Sequence, residues 1–548
     1  MSIRDWFVRD HTLTSTSAAR GSKKLSFRPS FETLEDRRML AAGILQFSAT
    51  GYSVKENVAT VTISVTRTSG RTGAVSVHYA TSDGTATAGL DYVANSGTLN
   101  WARGETRTKT FTISIIDDSL VEGNETVNLK LDTPTGGARL GARKSAVLTI
   151  IDNDTAANTF YVATTGSDAN DGSSAHPWRT LQFAANTVHA GDTVIVHAGN
   201  YIGFDMVNSG TSAAPITFQA DAGVVINQAN MITPDGINLE GASWIVIQGF
   251  TVTGMPRAGI RSVTNQHVTI RGNTTDKNGE WGIFSGFSDD LTIENNVASN
   301  SVQQHGIYVS NSGDRPIIRG NTIFGNHDAG IHMNGDISQG GDGIITGALV
   351  EDNIIYDNGL GGASGINCDG VQQSRIQNNL LYNNHASGIS LYQIDGGGPS
   401  SNNIVVNNTV IVASDGRWAL NIQNGSTGNT VYNNIFYNYH SFRGAMDISQ
   451  DSLTGFVSDY NVVISRFTLD GGNSVLSLAQ WQATTGQDTH SIVATPDQLF
   501  VNPAGNDYHL KAGSPAIDAG TATQAPLVDL EGHARPHGNG FDIGCYEF

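Results

Sequence analysis

The sequence predicts an all-β chain in which an antiparallel β-sandwich precedes a parallel β-helix. Two patterns predict this fold class. From about Val268 to Ile448, one short apolar pattern that ends in Asn recurs at separations of 23 to 32 residues. From Ile44 to Asp154, short segments of alternating apolar and polar residues are separated by Gly, Asp and Asn turns, which is typical of about seven antiparallel strands.

In the region from about Val268 to Ile448, each repeat closes with an Asn. The seven positions are Asn273, Asn296, Asn321, Asn353, Asn379, Asn408 and Asn434. A Gly-Ile pattern such as Gly330-Ile331 accompanies most of them, so each repeat holds two short strands. Such a unit cannot bury an apolar face alone, and the repeats must therefore stack into a solenoid. We expect each Asn amide to bond the Asn of the next coil and to satisfy buried turn backbone.

These repeats resemble the right-handed parallel β-helix family of pectate-lyase-like proteins, over roughly Thr159 to Phe548. The resemblance implies a β-helix over residues 158–456, with a short helix near Pro177 to Gln182 that caps its open end. Residues 457–548 resemble the choice-of-anchor region of bacterial surface β-helix proteins. We expect them to form C-terminal coils and a capping, anchor-like region.

Acidic residues cluster at strand ends of the first region, residues 44–154. Strand ends that are far apart in sequence can meet at one pole of a sandwich, where carboxylates repel unless a cation such as Ca²⁺ holds them. The region also resembles a Calx-beta domain over its whole length, through motifs such as Ile116-Asp117-Asp118 and Ile151-Asp152-Asn153-Asp154. The resemblance implies a calcium role for Glu56, Asp91, Asp117, Asp118, Glu122, Glu125, Asp152 and Asp154. Acidic turns without a bound metal remain the alternative.

Composition argues against two kinds of partner. Asp and Glu total 50 against 31 Lys and Arg, a net charge of −19, whereas phosphate binding needs clustered basic residues. No apolar run approaches the roughly 20 residues of a membrane span, and we expect a monomer. Residues 1–43 are basic, and Phe31 to Ala42 resemble the LEPR-xLL-type motif of planctomycete exported and surface proteins. Composition predicts a disordered tail, and the resemblance implies that the segment directs export, with an extracellular or cell-surface location.

The Gly-Ile strands define a candidate groove on the outside of the β-helix. Successive side chains of a strand face opposite ways, so Ile331 and Met333 are expected to point inward while His332 and Asn334 face solvent. The same register places Tyr308 one coil from His332, about 4.8 Å away, and His305 borders the pair. We expect Tyr308, His332 and His305 to be catalytic. The residues expected to bind substrate are Phe284, Asn334, Asn367, Asp369, Tyr392, Arg417, Trp418, Asn421, Arg443 and Asp447.

A long groove with aromatic and amide side chains suits an extended glycan. Between residues 158 and 548 the only lysines are Lys277 and Lys511, which disfavours a lysine base and leaves a Tyr/His pair, as in some alginate lyases and C5 epimerases. The sequence therefore predicts β-elimination or C5 epimerisation of an acidic polysaccharide. Two alternatives stay open: a non-catalytic calcium-binding adhesin or matrix protein, and a glycoside hydrolase. For a hydrolase, Asp369 and Asp447 lie roughly 14 Å apart by coil count, too far for a catalytic pair.

Overall fold

The computed structural model describes residues 41–118, 121–154 and 157–548. The export motif lies outside these residues except for its last two, Ala41 and Ala42. The predicted sandwich is present, with nine strands rather than about seven. They are β1 (Ile44–Phe47), β2 (Gly51–Lys55), β3 (Thr60–Thr68), β4 (Val75–Asp83), β5 (Ser96–Trp101), β6 (Lys109–Ser114), β7 (Glu125–Asp132), β8 (Arg139–Leu140) and β9 (Ser145–Ile151).

The two sheets of the sandwich have the strand orders β6-β3-β1-β8 and β2-β9-β7-β4-β5. Most pairs are antiparallel, but β1 pairs with β8 and β2 pairs with β9 in parallel. Alternate residues such as Leu45 and Phe47, or Ile63 and Val65, are buried between the sheets. The alternating pattern underestimates the strand count because β8 has only two residues and β2 buries only Val54.

From Thr159 onward the chain forms a β-helix of three parallel sheets. Sheet I contains Thr159–Val162, Thr193–Val196, Ile216–Ala220, Ile245–Gln248, Thr269–Arg271, Thr292–Glu294, Ile317–Arg319, Leu349–Glu351, Arg375–Gln377, Ile404–Val406, Thr430–Tyr432 and Val457–Asp459. Sheet II contains Gly199–Ile202, Val224–Gln228, Thr251–Thr253, Thr274–Asp276, Val297–Ser299, Thr322–Phe324, Ile354–Tyr356, Leu380–Tyr382, Thr409–Val412, Ile435–Asn438, Val462–Val463 and Ile492–Val493. Sheet III, which bears the candidate groove, contains Phe204–Met206, Ile237–Glu240, Ala258–Val263, Trp281–Gly286, Ile307–Ser310, Ile331–Asn334, Ile366–Asp369, Ile389–Tyr392, Leu420–Ile422, Met446–Ile448 and Phe467–Thr468. Two short pairs complete the strands, Ile345–Thr346 with Val371–Gln372 and Phe500–Asn502 with Asp507–Leu510.

The corner Asn residues form the predicted ladder between sheets I and II. Each side-chain oxygen accepts hydrogen bonds from the backbone and side-chain amides of the Asn one coil earlier, as when Asn353 Oδ1 accepts from Asn321 N at 3.0 Å and from Asn321 Nδ2 at 2.9 Å. The Asn353 side-chain amide in turn donates to the backbone oxygens of Ile318 and Glu351. The ladder continues through Asn434 to Asn461. Buried turn backbone is thus satisfied from coil to coil.

Both ends of the β-helix are covered, by different means. Helix α1 (Leu181–Thr187) begins after Thr180, whose side chain accepts from Phe183 N, and buries Leu181 and Ala184 against the first coils. At the far end, helix α2 (Leu478–Thr485) places Trp481 on Phe467, with ring centroids 5.0 Å apart. The N-terminal helix lies a few residues after the predicted one.

The segment that follows α2 lies along the side of the β-helix. After helix α3 (Pro496–Leu499), apolar residues including Phe500 and Ile543 pack against Leu380, Ile411 and Ile435 on the outer face of sheet II. Within the predicted capping region 457–548, α2 thus covers the end of the β-helix, whereas the residues after α3 cover those three side chains, which form an outward apolar stripe. Sequence alternation alone does not show which segment covers this stripe.

Candidate active site and calcium site

Sheet III carries the predicted groove residues in the predicted register. Tyr308 pairs with His332, and His332 pairs with Asn367 on the following strand. Their exposure differs from the prediction, because Asn334, Asn367, Asp369 and Asp447 are buried instead of facing solvent. The loops that follow the strands fold back over them. Asn334, for example, accepts a hydrogen bond from the Asp336 backbone at 3.2 Å.

Tyr308, His332 and His305 form one contact cluster. The Tyr308 and His332 rings stack with centroids 4.9 Å apart, and His305 meets both edge-on, at 5.0 Å and 4.6 Å. The Tyr308 hydroxyl accepts a hydrogen bond from Asn334 Nδ2 at 3.4 Å. Burial lowers the pKa of His332 to about 4 and the pKa of His305 well below its usual value. Both imidazoles are therefore neutral at pH 7.

A chain of hydrogen bonds fixes where these two imidazoles carry their protons. The Ala329 backbone amide donates to His305 Nδ1 at 3.1 Å, so that nitrogen is an acceptor and neutral His305 is protonated at Nε2. His305 Nε2 lies 3.0 Å from His332 Nδ1 and donates to it. Neutral His332 is consequently protonated at Nε2. That N–H is buried and has no hydrogen-bond partner among the described residues.

A cleft with a volume of about 510 Å³ opens beside this cluster. Five predicted residues line it: His332, Asn367, Tyr392, Arg417 and Asn421. Tyr308 and His305 lie beneath it and support His332. Among the described residues that line the cleft, Asp328 is the only carboxylate and Arg417 the only Arg or Lys. Asp328 is not predicted from the sequence, because it lies in the turn before the strand Ile331–Asn334, where strand alternation does not show which way a side chain points.

Asp369 is held by a loop and does not face the cleft as predicted. Its carboxylate accepts three backbone hydrogen bonds, from Ile394 at 2.9 Å, Asp395 at 2.8 Å and Gly396 at 3.0 Å, and the residue is 1% exposed. This loop, which contains Asp395, contacts the loop after the strand Ile331–Asn334, because Ile337 N donates to Asp395 O at 3.0 Å. Asp369 therefore shapes the groove through its loop.

Four further predicted residues lie away from the cleft. Phe284 stacks at a tilt with Trp281, with ring centroids 4.4 Å apart, and continues the aromatic cluster toward the first coils. Trp418 is only 4% exposed, which corrects its expected place on the groove border. Arg443 donates to Gly416 O at 3.1 Å. Asp447 is buried, and burial raises its pKa to about 6.

The eight predicted metal ligands meet at one pole of the sandwich. Ligand atoms within 4.8 Å of one another define two groups, Glu56 with Asp152 and Asp154, and Asp91 with Asp118 and Glu122. The remaining two act on these groups: Asp117 raises the pKa of Asp154 electrostatically, and Glu125 shares a hydrogen bond with Asp91.

The electrostatics of this pole fit a divalent cation. Burial, followed by neighbouring carboxylates, raises the pKa of Glu56 to about 7, and burial with the Asp91 contact raises that of Glu125 to about 7. Asp154 Oδ2 is buried without a hydrogen-bond partner among the described residues. Ca²⁺ prefers oxygen ligands, and a bound cation would stabilise the ionised form of these crowded carboxylates.

Two family models match adjacent parts of the chain. Residues 40–154 match the Calx-beta domain, and residues 160–409 match the family described as Pel9A-like, right handed beta helix region. The chain thus combines a region that matches the Calx-beta domain with a β-helix that is similar to the Pel9A-like family. No helix in the described part of the chain is long and apolar enough to cross a membrane.

Individual proteins also match either the sandwich or the β-helix. The uncharacterized protein YwoF of Bacillus subtilis is 24% identical over 461 residues, which cover 69% of this chain and 97% of that protein. The sodium/calcium exchanger Calx of Drosophila melanogaster is 34% identical over 110 residues, 20% of this chain but only 12% of the exchanger. The crystal structure of pectate lyase Pel9A shares the β-helix fold, at 16% identity and a TM-score of 0.50, over 72% of this chain and 97% of that one.

Proposed function

We propose that the β-helix acts outside the cell on an acidic, uronate-containing polysaccharide, which it binds in the cleft of sheet III and breaks by β-elimination. The observation that carries this proposal is the pairing, in one cleft, of a single arginine with a neutral histidine whose N–H is free to donate. Both groups favour a carboxylate ligand. Elimination and C5 epimerisation both begin with removal of the proton at C5, which the carboxylate next to it makes acidic.

The remaining lining supports a sugar ligand. Tyr392 offers an aromatic ring, while Asn367, Asn421 and Gln423 offer amides that can bond sugar hydroxyls. One solved structure that shares the β-helix fold is that of a pectate lyase, so pectate is the first substrate to test.

The test is to incubate the full chain with pectate, alginate and glycosaminoglycans and to follow the ultraviolet absorbance of the unsaturated uronate product. We expect absorbance to rise with one of these polymers, and Arg417→Ala to raise KM because the carboxylate loses its counter-charge. Arg271→Ala is the matched control, because Arg271 is exposed on sheet I and its side chain bonds Gln248 alone among the described residues. Binding without any product would favour an adhesin, and new reducing ends without absorbance would favour a hydrolase.

We also propose that the Calx-beta domain binds Ca²⁺ at the pole formed by its eight carboxylates. One relative that matches this domain is a sodium/calcium exchanger, and the ligand groups and raised pKa values of Glu56 and Glu125 support a cation there. This site belongs to the sandwich and supplies no group to the sheet III cleft.

A further inference from the structure

Three side chains that line the cleft, His332, Asp328 and Tyr392, can donate or accept a proton. His332 presents Nε2–H, because the Ala329 amide and His305 fix its tautomer. An imidazole protonated at its free nitrogen has no lone pair there with which to accept a proton. His332 is therefore a donor in this site and is unsuited to act as its base.

Asp328 is the carboxylate available to accept a proton. It lines the cleft, and His327 Nδ1 lies 3.6 Å from Asp328 Oδ1. Burial raises the pKa of Asp328, which makes the carboxylate more basic. A Cβ at Gly361 would collide with Asp328 Oδ1 and with the His327 ring, so glycine at that position makes room for the carboxylate.

Tyr392 is placed to supply a proton. Its hydroxyl oxygen accepts a hydrogen bond from Asn367 Nδ2 at 2.6 Å, which leaves its own hydrogen free to donate. Burial raises its pKa, so the phenol keeps its proton at neutral pH. Asp328 precedes the strand Ile331–Asn334, and Tyr392 closes the strand two coils further on. Their main chains are offset by two coil steps, roughly 10 Å, and also along the strand direction, and both side chains line the one cleft that a bound sugar chain would occupy.

We propose that Asp328 is the base and Tyr392 the acid of the elimination, while His332 Nε2–H and Arg417 bind the uronate carboxylate. This inference rests on the proposed function. An Asp328 oxygen takes the C5 proton, the C5–H electron pair forms the C4–C5 double bond and the C4–O4 bond breaks. The leaving oxygen takes the phenol proton of Tyr392. Solvent then removes the proton from Asp328 and returns one to Tyr392. His305 and Tyr308 are positioning residues that hold His332.

The first experiment compares Asp328→Asn with Asp221→Asn, an exposed carboxylate paired with His197 far from the cleft. With the polymer that wild type degrades, we expect Asp328→Asn to lower kcat by about 10²–10⁴-fold with little change in KM, the range for loss of a general base. Asp221→Asn should match wild type. Gly361→Ala, which displaces the carboxylate without removing it, should also lower kcat.

A second readout separates base from acid. In deuterated water, Tyr392→Phe should still exchange the C5 proton of the substrate although the C4–O4 bond no longer breaks, whereas Asp328→Asn should lose exchange as well. The histidine roles have a readout independent of activity: ¹⁵N NMR should show His305 and His332 neutral at pH 7 and both protonated at Nε2, with assignments from His305→Gln and His332→Gln.

The outcomes distinguish the two proposals. An inactive wild type on every acidic glycan overturns the proposed function. An active wild type whose Asp328→Asn variant retains kcat and exchange, with an unchanged melting temperature, overturns the assignment of the base. A His332 protonated at Nδ1 overturns its role as donor.

Discussion

At the scale of single residues, hydrogen bonds decide what each groove side chain does. Asp369 and Asp328 are both carboxylates near sheet III, yet three backbone amides occupy Asp369 while Asp328 lines the cleft. A buried carboxylate that accepts several backbone N–H groups is a structural anchor, because substrate would have to compete with charge-assisted bonds.

Replacing Asp369 should therefore affect stability and loop order before it affects chemistry. We expect Asp369→Ala to lower the free energy of unfolding by about 1–3 kcal/mol, because three buried amides lose their acceptor. Urea unfolding measures the change, and Asp221→Ala at the exposed His197 pair serves as the control. Equal stability of the two variants would contradict the anchoring role.

At the scale of elements, the Asn ladder joins one coil to the next. Each side chain satisfies buried backbone that the turn between sheets I and II leaves unpaired, as Asn353 does for Ile318 and Glu351. The ladder thus holds the stacking distance of the coils on which the cleft residues lie.

Asn353→Ala tests this element. We expect a loss of at least about 1–3 kcal/mol, because buried donors and acceptors remain unsatisfied in the alanine variant. Asn227→Ala is the matched control, since Asn227 is exposed and makes one long side-chain contact with Asn200, so its effect should stay within about 0.5 kcal/mol. Urea unfolding of both variants measures the difference, and equal effects would refute the ladder's contribution.

At the scale of the whole molecule, Arg535 fastens the C-terminal segment to the β-helix and is itself held by a buried ion pair within that segment. Arg535 Nη1 lies 2.6 Å from Glu547 Oε1, and the two side chains are 0% and 1% exposed. Arg535 also donates to Asn378 Oδ1, which belongs to the corner next to sheet I. The contact joins residues that are far apart in the sequence.

Arg535→Ala should release this segment. Removing one partner of a buried pair leaves an uncompensated charge, and we expect a loss of about 3–5 kcal/mol. Arg315→Ala, at an exposed pair with Asp290, should change stability by about 0–1 kcal/mol. Limited proteolysis should cut the variant first within residues 496–548. Resistance equal to wild type would contradict the fastening.

The acidic pole of the Calx-beta domain is predicted to couple the stability of the whole molecule to pH and to Ca²⁺. Because folding raises the pKa of Glu56 and Glu125 from 4.5 to about 7, the metal-free folded state binds more protons than the unfolded state between those values. Stability without metal should therefore fall as pH rises from about 4.5 to 7. Added Ca²⁺ should raise the melting temperature most at and above pH 7, where it meets fewer protons.

Calorimetric melting curves at pH 5 and pH 7.5, with Ca²⁺ or with a chelator, measure this dependence. In Glu56→Gln the Ca²⁺-induced shift should shrink. A melting temperature that Ca²⁺ leaves unchanged at both pH values would refute the metal site.

The sequence by itself determined the two domains, the coil period, the Asn ladder and the contact of Tyr308 with His332. These follow from periodicity, because strand alternation and stacking fix which residues share a face and a column. The eight carboxylates of the sandwich were also predicted from the sequence, because acidic residues cluster at its strand ends and the region resembles a Calx-beta domain.

Only the tertiary structure decided what depends on loops and on contacts between distant segments. In the tertiary structure Trp418 and Asp369 are buried, and the residues after α3 pack along sheet II. Asp328, which lies in a turn, lines the cleft. The tautomer of His332 depends on the Ala329 amide and His305, two contacts that no pattern of residue types encodes. Periodicity describes the strands, whereas the chemistry of this cleft arises where irregular segments close over them.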